Sequence, residues 1–307
     1  GIAGEILAGV LIGPHVLGWI RQGETINVLG ELGVMFLLFR VGLEVKASEL
    51  RSIGVRATLI ALLGVLIPFL TGWGLSALWG FTTLEAIFIG AALVATSVGI
   101  TAQVLASGGW LQERASKLIL AAAVIDDVLG LMVLAAVSTL AGRSVTLAEF
   151  GATAGILGAF LLGVALAGVA TPRVHTLAHH ASWLLVPFFL AGVGLNFDLP
   201  ALANTSNLLF ACLILLGAVA SKWVGCGLAA LPLGRTDALR VGAGMIPRGE
   251  VGMVVAQIGA GFGVMQPSVY GTIVFMSVLT TLLAPPLLRI AYKGARKVET
   301  DGDYRLD

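Results

Sequence analysis

"FLLFRVGLEVKASEL" (residues 36–50) returns without gaps as "FFLAGVGLNFDLPAL" (residues 188–202), at an offset of 152. A second echo keeps the same order: "GWGLSAL" (72–78) answers to "GCGLAAL" (225–231), at an offset of 153. The chain is therefore one plan used twice, and its composition says what the plan is made of. Of 307 residues, 58% are hydrophobic and 11% charged, against about 25% charged in an ordinary soluble domain. Apolar stretches of about 20 residues read as membrane-spanning helices. Ten are expected, at roughly 2–19, 27–44, 54–79, 84–107, 116–141, 146–170, 182–198, 206–231, 236–262 and 267–291. Five belong to repeat one (about 1–141) and five to repeat two (about 146–291). Five is odd, so the second half enters the membrane from the opposite side, an inverted repeat of the kind that builds secondary transporters.

Two spans are interrupted near their middle, by "ATSVG" (95–99) and by "MIPRGEVG" (245–252), and they correspond in the repeat, Gly90 falling on Gly242. Pro247 has no N–H to donate and disfavours helix at the residue before it. Non-helical backbone at this depth is tolerated where it is buried or lines a wet cavity. The expected fold is an all-α polytopic membrane protein, with two inverted five-helix repeats and two crossed discontinuous helices. Residues 1–291 form a single transmembrane domain and 292–307 a short tail.

Charge sets the orientation. One set of loops and the tail carry most of the basic residues, among them Lys46, Arg56, Arg173, Arg240 and Lys293, whereas the opposite loops carry Arg21 and Arg143. The basic side is the cytoplasmic one, so the C-terminus is expected inside a plasma membrane, that of a bacterium. No basic stretch is interleaved with aromatics, which argues against nucleic-acid binding. Cys212 and Cys226 lie fourteen residues apart on one expected helix, about 21 Å along its axis and too far to bridge. The chain opens on Gly1 within an apolar helix, and sequence upstream of it is expected.

With loops and helix ends set aside, five ionisable residues remain at depth: Asp126, Asp127, Lys222, Arg248 and Glu250. Asp126, Lys222 and Pro247 all fall roughly 13–17 Å from the cytoplasmic side, near the bilayer midplane. One carboxylate at that depth costs roughly 2.5–3.5 kcal/mol on insertion scales, and "VIDDVLGL" has two, side by side. On a helix adjacent side chains diverge by about 100°, so each needs its own partner. Two cations against three anions leave one negative charge, enough to attract one monovalent cation or one proton. Either relieves a buried carboxylate, so the two compete, and competition for one site is the basis of cation–proton exchange.

Asp126 is expected to pair with Lys222, leaving Asp127 to hold the cation. Lys222 stands where the first repeat has Phe69. Thr96 and Ser97, in the first interruption, offer hydroxyl and freed carbonyl oxygens to a hard cation. Arg248 and Glu250 read as a supporting charge network that staples the broken helix. Ala122, Ala123 and Gly130 are small and lie at near-helical spacing, so another backbone can approach the carboxylates there. His15 and the cluster His175, His179 and His180 fall in loops or at interfaces. Each polar group also has a purely structural reading: an ion pair that joins two helices, or hydroxyls that satisfy their own broken turn.

Taken together, "VIDDVLGL", the opening "GEILAGVLIGP", "FRVGLE", "GMIPRGEVG" and "SKWVGCG" resemble the NapA-type Na⁺/H⁺ antiporters, in the second branch of the monovalent cation:proton antiporters. The resemblance implies that Asp127 is the principal carrier of cation and proton, that Lys222 pairs with Asp126, and that Arg248 and Glu250 match the charges of the family's broken helix. It also implies a six-helix core moving in an elevator-like way against a dimerisation domain, a homodimer, and electrogenic exchange. No cofactor and no enzymatic activity are implied beyond transport of Na⁺ or Li⁺ and H⁺.

Two rival readings remain: a K⁺/H⁺ exchanger, since cavity size decides the ion, and a sodium-coupled organic-anion symporter of related fold. An intramembrane aspartyl protease needs two facing aspartates that share a proton, which neighbours on one helix cannot provide.

Overall fold

The computed structural model describes residues 2–14, 16–21, 23–43, 47–140, 147–195, 204–248, 250–261 and 263–295. Within them the chain forms helices and no strand: α1 (Ile2–Ile12), α2 (Glu24–Leu43), α3 (Ala47–Trp79), α4 (Thr83–Val94), α5 (Val98–Gly108), α6 (Arg114–Leu140), α7 (Leu147–Leu166), α8 (Pro172–Leu195), α9 (Thr205–Ala230), α10 (Arg235–Gly244), α11 (Glu250–Gly261) and α12 (Pro267–Ala291). Seven stretches among the described residues are long and apolar enough to cross a membrane. The other three expected spans correspond to α1, α7 and the pair α10–α11, whose halves of 10 and 12 residues are each too short alone.

Both interruptions fall where the sequence puts them. Thr82 caps α4 by accepting from the Glu85 N–H at 3.3 Å, and the helix stops when Ala95 turns to φ −59°, ψ 139°. Ser97 then caps α5, its hydroxyl accepting from Ile100 N at 3.4 Å. In repeat two, α10 ends at Gly244 and α11 begins at Glu250, with Pro247 between them.

Two helix boundaries differ from the expectation. The first helix ends at Ile12 rather than near residue 19, because Pro14 disfavours helix at Gly13 although the apolar run continues past it. The eighth helix starts at Pro172, ten residues before the expected 182. A proline in the first helical position lacks a hydrogen bond that would be unmade there in any case. Arg173, His175, His179 and His180 therefore lie on α8 and not in a loop. His15 and the basic residues Lys46, Arg143, Arg296 and Lys297 lie outside the described residues.

Helices α1, α2, α7 and α8 pack on one another, through glycines that let backbones touch. A Cβ at Gly42 would strike Phe160 O, and one at Gly163 would strike Phe39 O. The repeat reproduces this seam between α8 and α1: a Cβ at Gly194 would strike Ile6 O, and one at Gly9 would strike Ala191 O. Without a hydrophobic drive between helices in lipid, close van der Waals approach of this kind is what holds them.

The remaining helices surround the two broken ones. The Thr83–Gly108 stretch is largely buried, whereas Gly54–Trp79 turns Leu59, Leu66 and Leu70 outward. The polar residues of the interruptions are thus enclosed by helices whose own outer faces are apolar.

Candidate functional site

The two interruptions cross and are bonded to each other. Ser97 N donates to Pro247 O at 2.8 Å, and Thr101 Oγ1 to Gly244 O at 2.7 Å. Thr96 Oγ1 reaches Met245 O at 3.5 Å, a far weaker contact. Backbone groups freed by each break are thereby satisfied largely by the other, as a buried polar backbone requires. The Thr96 and Ser97 hydroxyls are both engaged, one across the crossing and one as the α5 cap. Thr101, which the sequence reading passed over, makes the shortest of these bonds.

Arg248 closes the crossing from within. Its side chain is completely buried, with Nη1 donating to Ala95 O at 3.2 Å and Nη2 to Ala218 O at 3.1 Å. A cation at Ala95 sits at the C-terminal end of α4, where the helix dipole is negative. The Arg248 backbone is pinned to α12, its N–H donating to Thr280 Oγ1 at 3.1 Å and its carbonyl accepting from Thr281 Oγ1 at 3.0 Å. One residue thus joins α4, α9 and α12. Glu250 opens α11, and its side chain lies outside the described residues.

Asp126, on α6, and Lys222, on α9, come together: Lys222 Nζ donates to Asp126 Oδ1 at 2.8 Å, and neither side chain has any exposed surface. Ala218, the Arg248 acceptor, is one turn before Lys222 on the same helix. Asp126 Oδ2 is buried and has no hydrogen-bond partner among the described residues. Asp127, the next residue on α6, is half-buried. The pair of aspartates is divided by environment, one sealed against a cation and the other keeping part of its surface exposed.

Ala122 and Ala123 are buried, but among the described residues nothing lies within 4 Å of where a Gly130 Cβ would be. The close approach to the carboxylate comes instead from α3. A Cβ at Gly64 would stand 3.4 Å from Lys222 Nζ and 3.6 Å from Asp126 Oδ1. Cys226 lies beside them, buried, and Cys212 is exposed. No group of three or more His, Cys, Asp or Glu side chains that could hold a metal ion occurs among the described residues. What the site offers is carboxylate and backbone oxygen held by buried cations, a setting suited to a transient monovalent ion.

The chain matches the family described as "sodium/hydrogen exchanger, transmembrane" over residues 1–153 and 144–293. It is similar to the high-affinity Na⁺/H⁺ antiporter NhaS3 of Synechocystis sp., at 33% identity over 91% of this chain and 74% of that one. It is also similar to the Na⁺/H⁺-K⁺ antiporter GerN of Bacillus cereus, at 30% identity over 96% of this chain and 90% of that one. Among solved structures, the sodium proton antiporter MjNhaP1 of Methanocaldococcus jannaschii has the same fold, with a TM-score of 0.65 and 16% identity over 95% of this chain and 90% of that one.

Proposed function

This chain belongs to the sodium/hydrogen exchanger family, and from that premise we propose that it exchanges Na⁺ (or Li⁺) for H⁺ by alternating access, with Asp127 as the residue that takes cation and proton in turn. It is an integral membrane protein and a cation/proton antiporter. The observation that carries the residue assignment is the difference between two neighbours: Asp126 is locked to Lys222 with no exposed surface, while Asp127 is half-buried. A carrier must be reached from water, and of the two only Asp127 keeps exposed surface.

In this reading Asp126 and Lys222 supply a second charge, exchanged when the core moves and the sealed pair parts. Two carboxylates and one ammonium give the site more than one proton for each cation, which supports electrogenic exchange. Arg248 holds the crossing at a fixed geometry, Thr96 and Ser97 frame it, and Glu250 completes the charge balance. The four-helix layer of α1, α2, α7 and α8 supplies a scaffold against which the core can slide, and it offers the dimerisation face of a homodimer. The basic loops favour a cytoplasmic C-terminus.

The name of GerN includes K⁺, which favours potassium as a second transported ion. The test uses purified protein in liposomes with an acidic lumen, following lumenal pH as Na⁺, Li⁺ or K⁺ is added. Dissipation by Na⁺ or Li⁺ that disappears in Asp127→Asn is expected; dissipation by K⁺ alone makes the protein a potassium exchanger. Full transport by Asp127→Asn removes that aspartate from the mechanism.

A further inference from the structure

We infer that Gly64 is a positioning residue of the exchange site: with no side chain, it leaves the Lys222 ammonium and the Asp126 carboxylate room to close on each other and to part. The inference rests on the antiport reading given above. Gly64 is buried in α3, opposite the point where α6 and α9 bring the two charges together. A Cβ there would lie 2.8 Å from Cys226 Sγ, 3.4 Å from Lys222 Nζ and 3.6 Å from Asp126 Oδ1. The last two distances are ordinary contacts; the first is shorter than real packing allows.

A methyl group at 64 must therefore displace something, and the alternatives are few. The Cys226 thiol is buried and held against Ile60 O at 3.7 Å. Helix α3 cannot draw back without opening its close seam with α9, where the Cβ position of Gly225 stands 2.9 Å from Leu63 O. Cys226 lies one turn after Lys222 on α9, so strain introduced at 64 is passed through the thiol to the helix that carries the ammonium of the ion pair.

The repeat provides its own control. At an offset of 153, Gly64 corresponds to Gly217. There a Cβ would meet Leu75 Cδ1 at 2.7 Å and Thr71 Cγ2 at 3.3 Å. These are ends of side chains that can rotate aside, and neither carries charge. Both repeats keep a glycine at this point of the α3–α9 seam, but only one of the two faces an ion pair.

The experiment measures Na⁺-driven proton movement across a pH series in proteoliposomes, for the native protein, Gly64→Ala, Gly217→Ala, Gly64→Ala with Cys226→Ala, and Asp127→Asn. Gly64→Ala is expected to keep exchange while its half-maximal pH moves by about half a unit, an interaction changed about threefold. Gly217→Ala keeps the native profile, and removing the thiol in the double variant restores it. An unshifted Gly64→Ala profile, an equal shift in Gly217→Ala, or a shift that the double variant retains overturns the inference. If Gly64→Ala does not assemble, the double variant decides: assembly with a native profile supports the inference, and failure to assemble overturns it. Absence of Na⁺-driven proton movement in the native protein defeats the antiport reading, and transport that survives in Asp127→Asn removes that aspartate from it. A silent Asp127→Asn beside an unshifted Gly64→Ala defeats the role of Gly64 alone.

Discussion

Lys222 donates to Asp126 across 2.8 Å with both side chains wholly enclosed, so neither charge has water to fall back on. A buried pair of this kind adds little net stability while both partners are present, because desolvation offsets attraction. Its removal is another matter. Lys222→Ala leaves Asp126 charged and alone, and the expected loss is about 3–5 kcal/mol. Asp126→Leu combined with Lys222→Met should recover most of that loss while abolishing the pair. Thermal unfolding in detergent tests this; a double variant no more stable than Lys222→Ala shows that the residues act independently.

Arg248→Lys keeps the charge but not the fork. A single ammonium cannot serve Ala95 O and Ala218 O in the planar geometry of the guanidinium. One acceptor of a charged hydrogen bond is lost, with an expected destabilisation of about 1.5–3 kcal/mol. Hydrogen exchange should show the loss first in α4 and α9, the two helices that the guanidinium joins.

The hydroxyls at the crossing are not equivalent. Thr101→Val removes a 2.7 Å bond to Gly244 O and leaves that carbonyl buried, for a loss of about 1–3 kcal/mol. Thr96→Val removes a contact of 3.5 Å and should lower the melting temperature less. The reverse order in a melting series contradicts this account of the crossing.

Two glycines of α3, two residues apart, should respond oppositely to alanine. A Cβ at Gly72 would lie 2.9 Å from Gly90 Cα; backbone cannot rotate away, and the expected loss is about 1–3 kcal/mol, as for overpacking. At Gly74 nothing lies within 4 Å among the described residues, so Gly74→Ala should gain about 0.5–1 kcal/mol by stiffening the helix. Thermal melts of the two variants decide the matter.

Much of this architecture can be read before any coordinates exist, and for a physical reason. In a chain this apolar, Pro247, Asp126 and Lys222 are exceptions that lipid would penalise, so their presence marks the broken helix and the buried charges. The inverted repeat is legible because glycine spacing survives where side chains drift. Other features leave weaker marks. The end of α1 at Ile12 is obscured by an apolar run that continues through Val16 and Leu17. The early start of α8 is obscured by polar residues that resemble a loop. Thr101 and Gly64 carry no local signal, because their importance depends on which helix lies opposite.

The glycine seams have a consequence for how the molecule is made. Gly9 packs on Ala191, and Gly42 packs against Phe160, so the opening helix of each half takes its seat in the other half. Neither half can finish alone. At roughly 5–20 residues per second, the segment around Gly9 waits on the order of ten seconds or more for its counterpart to leave the ribosome. During that interval α1 has lipid or the insertion machinery for a neighbour, and its glycine face stays unfilled. Biogenesis of this protein is therefore a process with a built-in delay, its length set by the distance between the repeats.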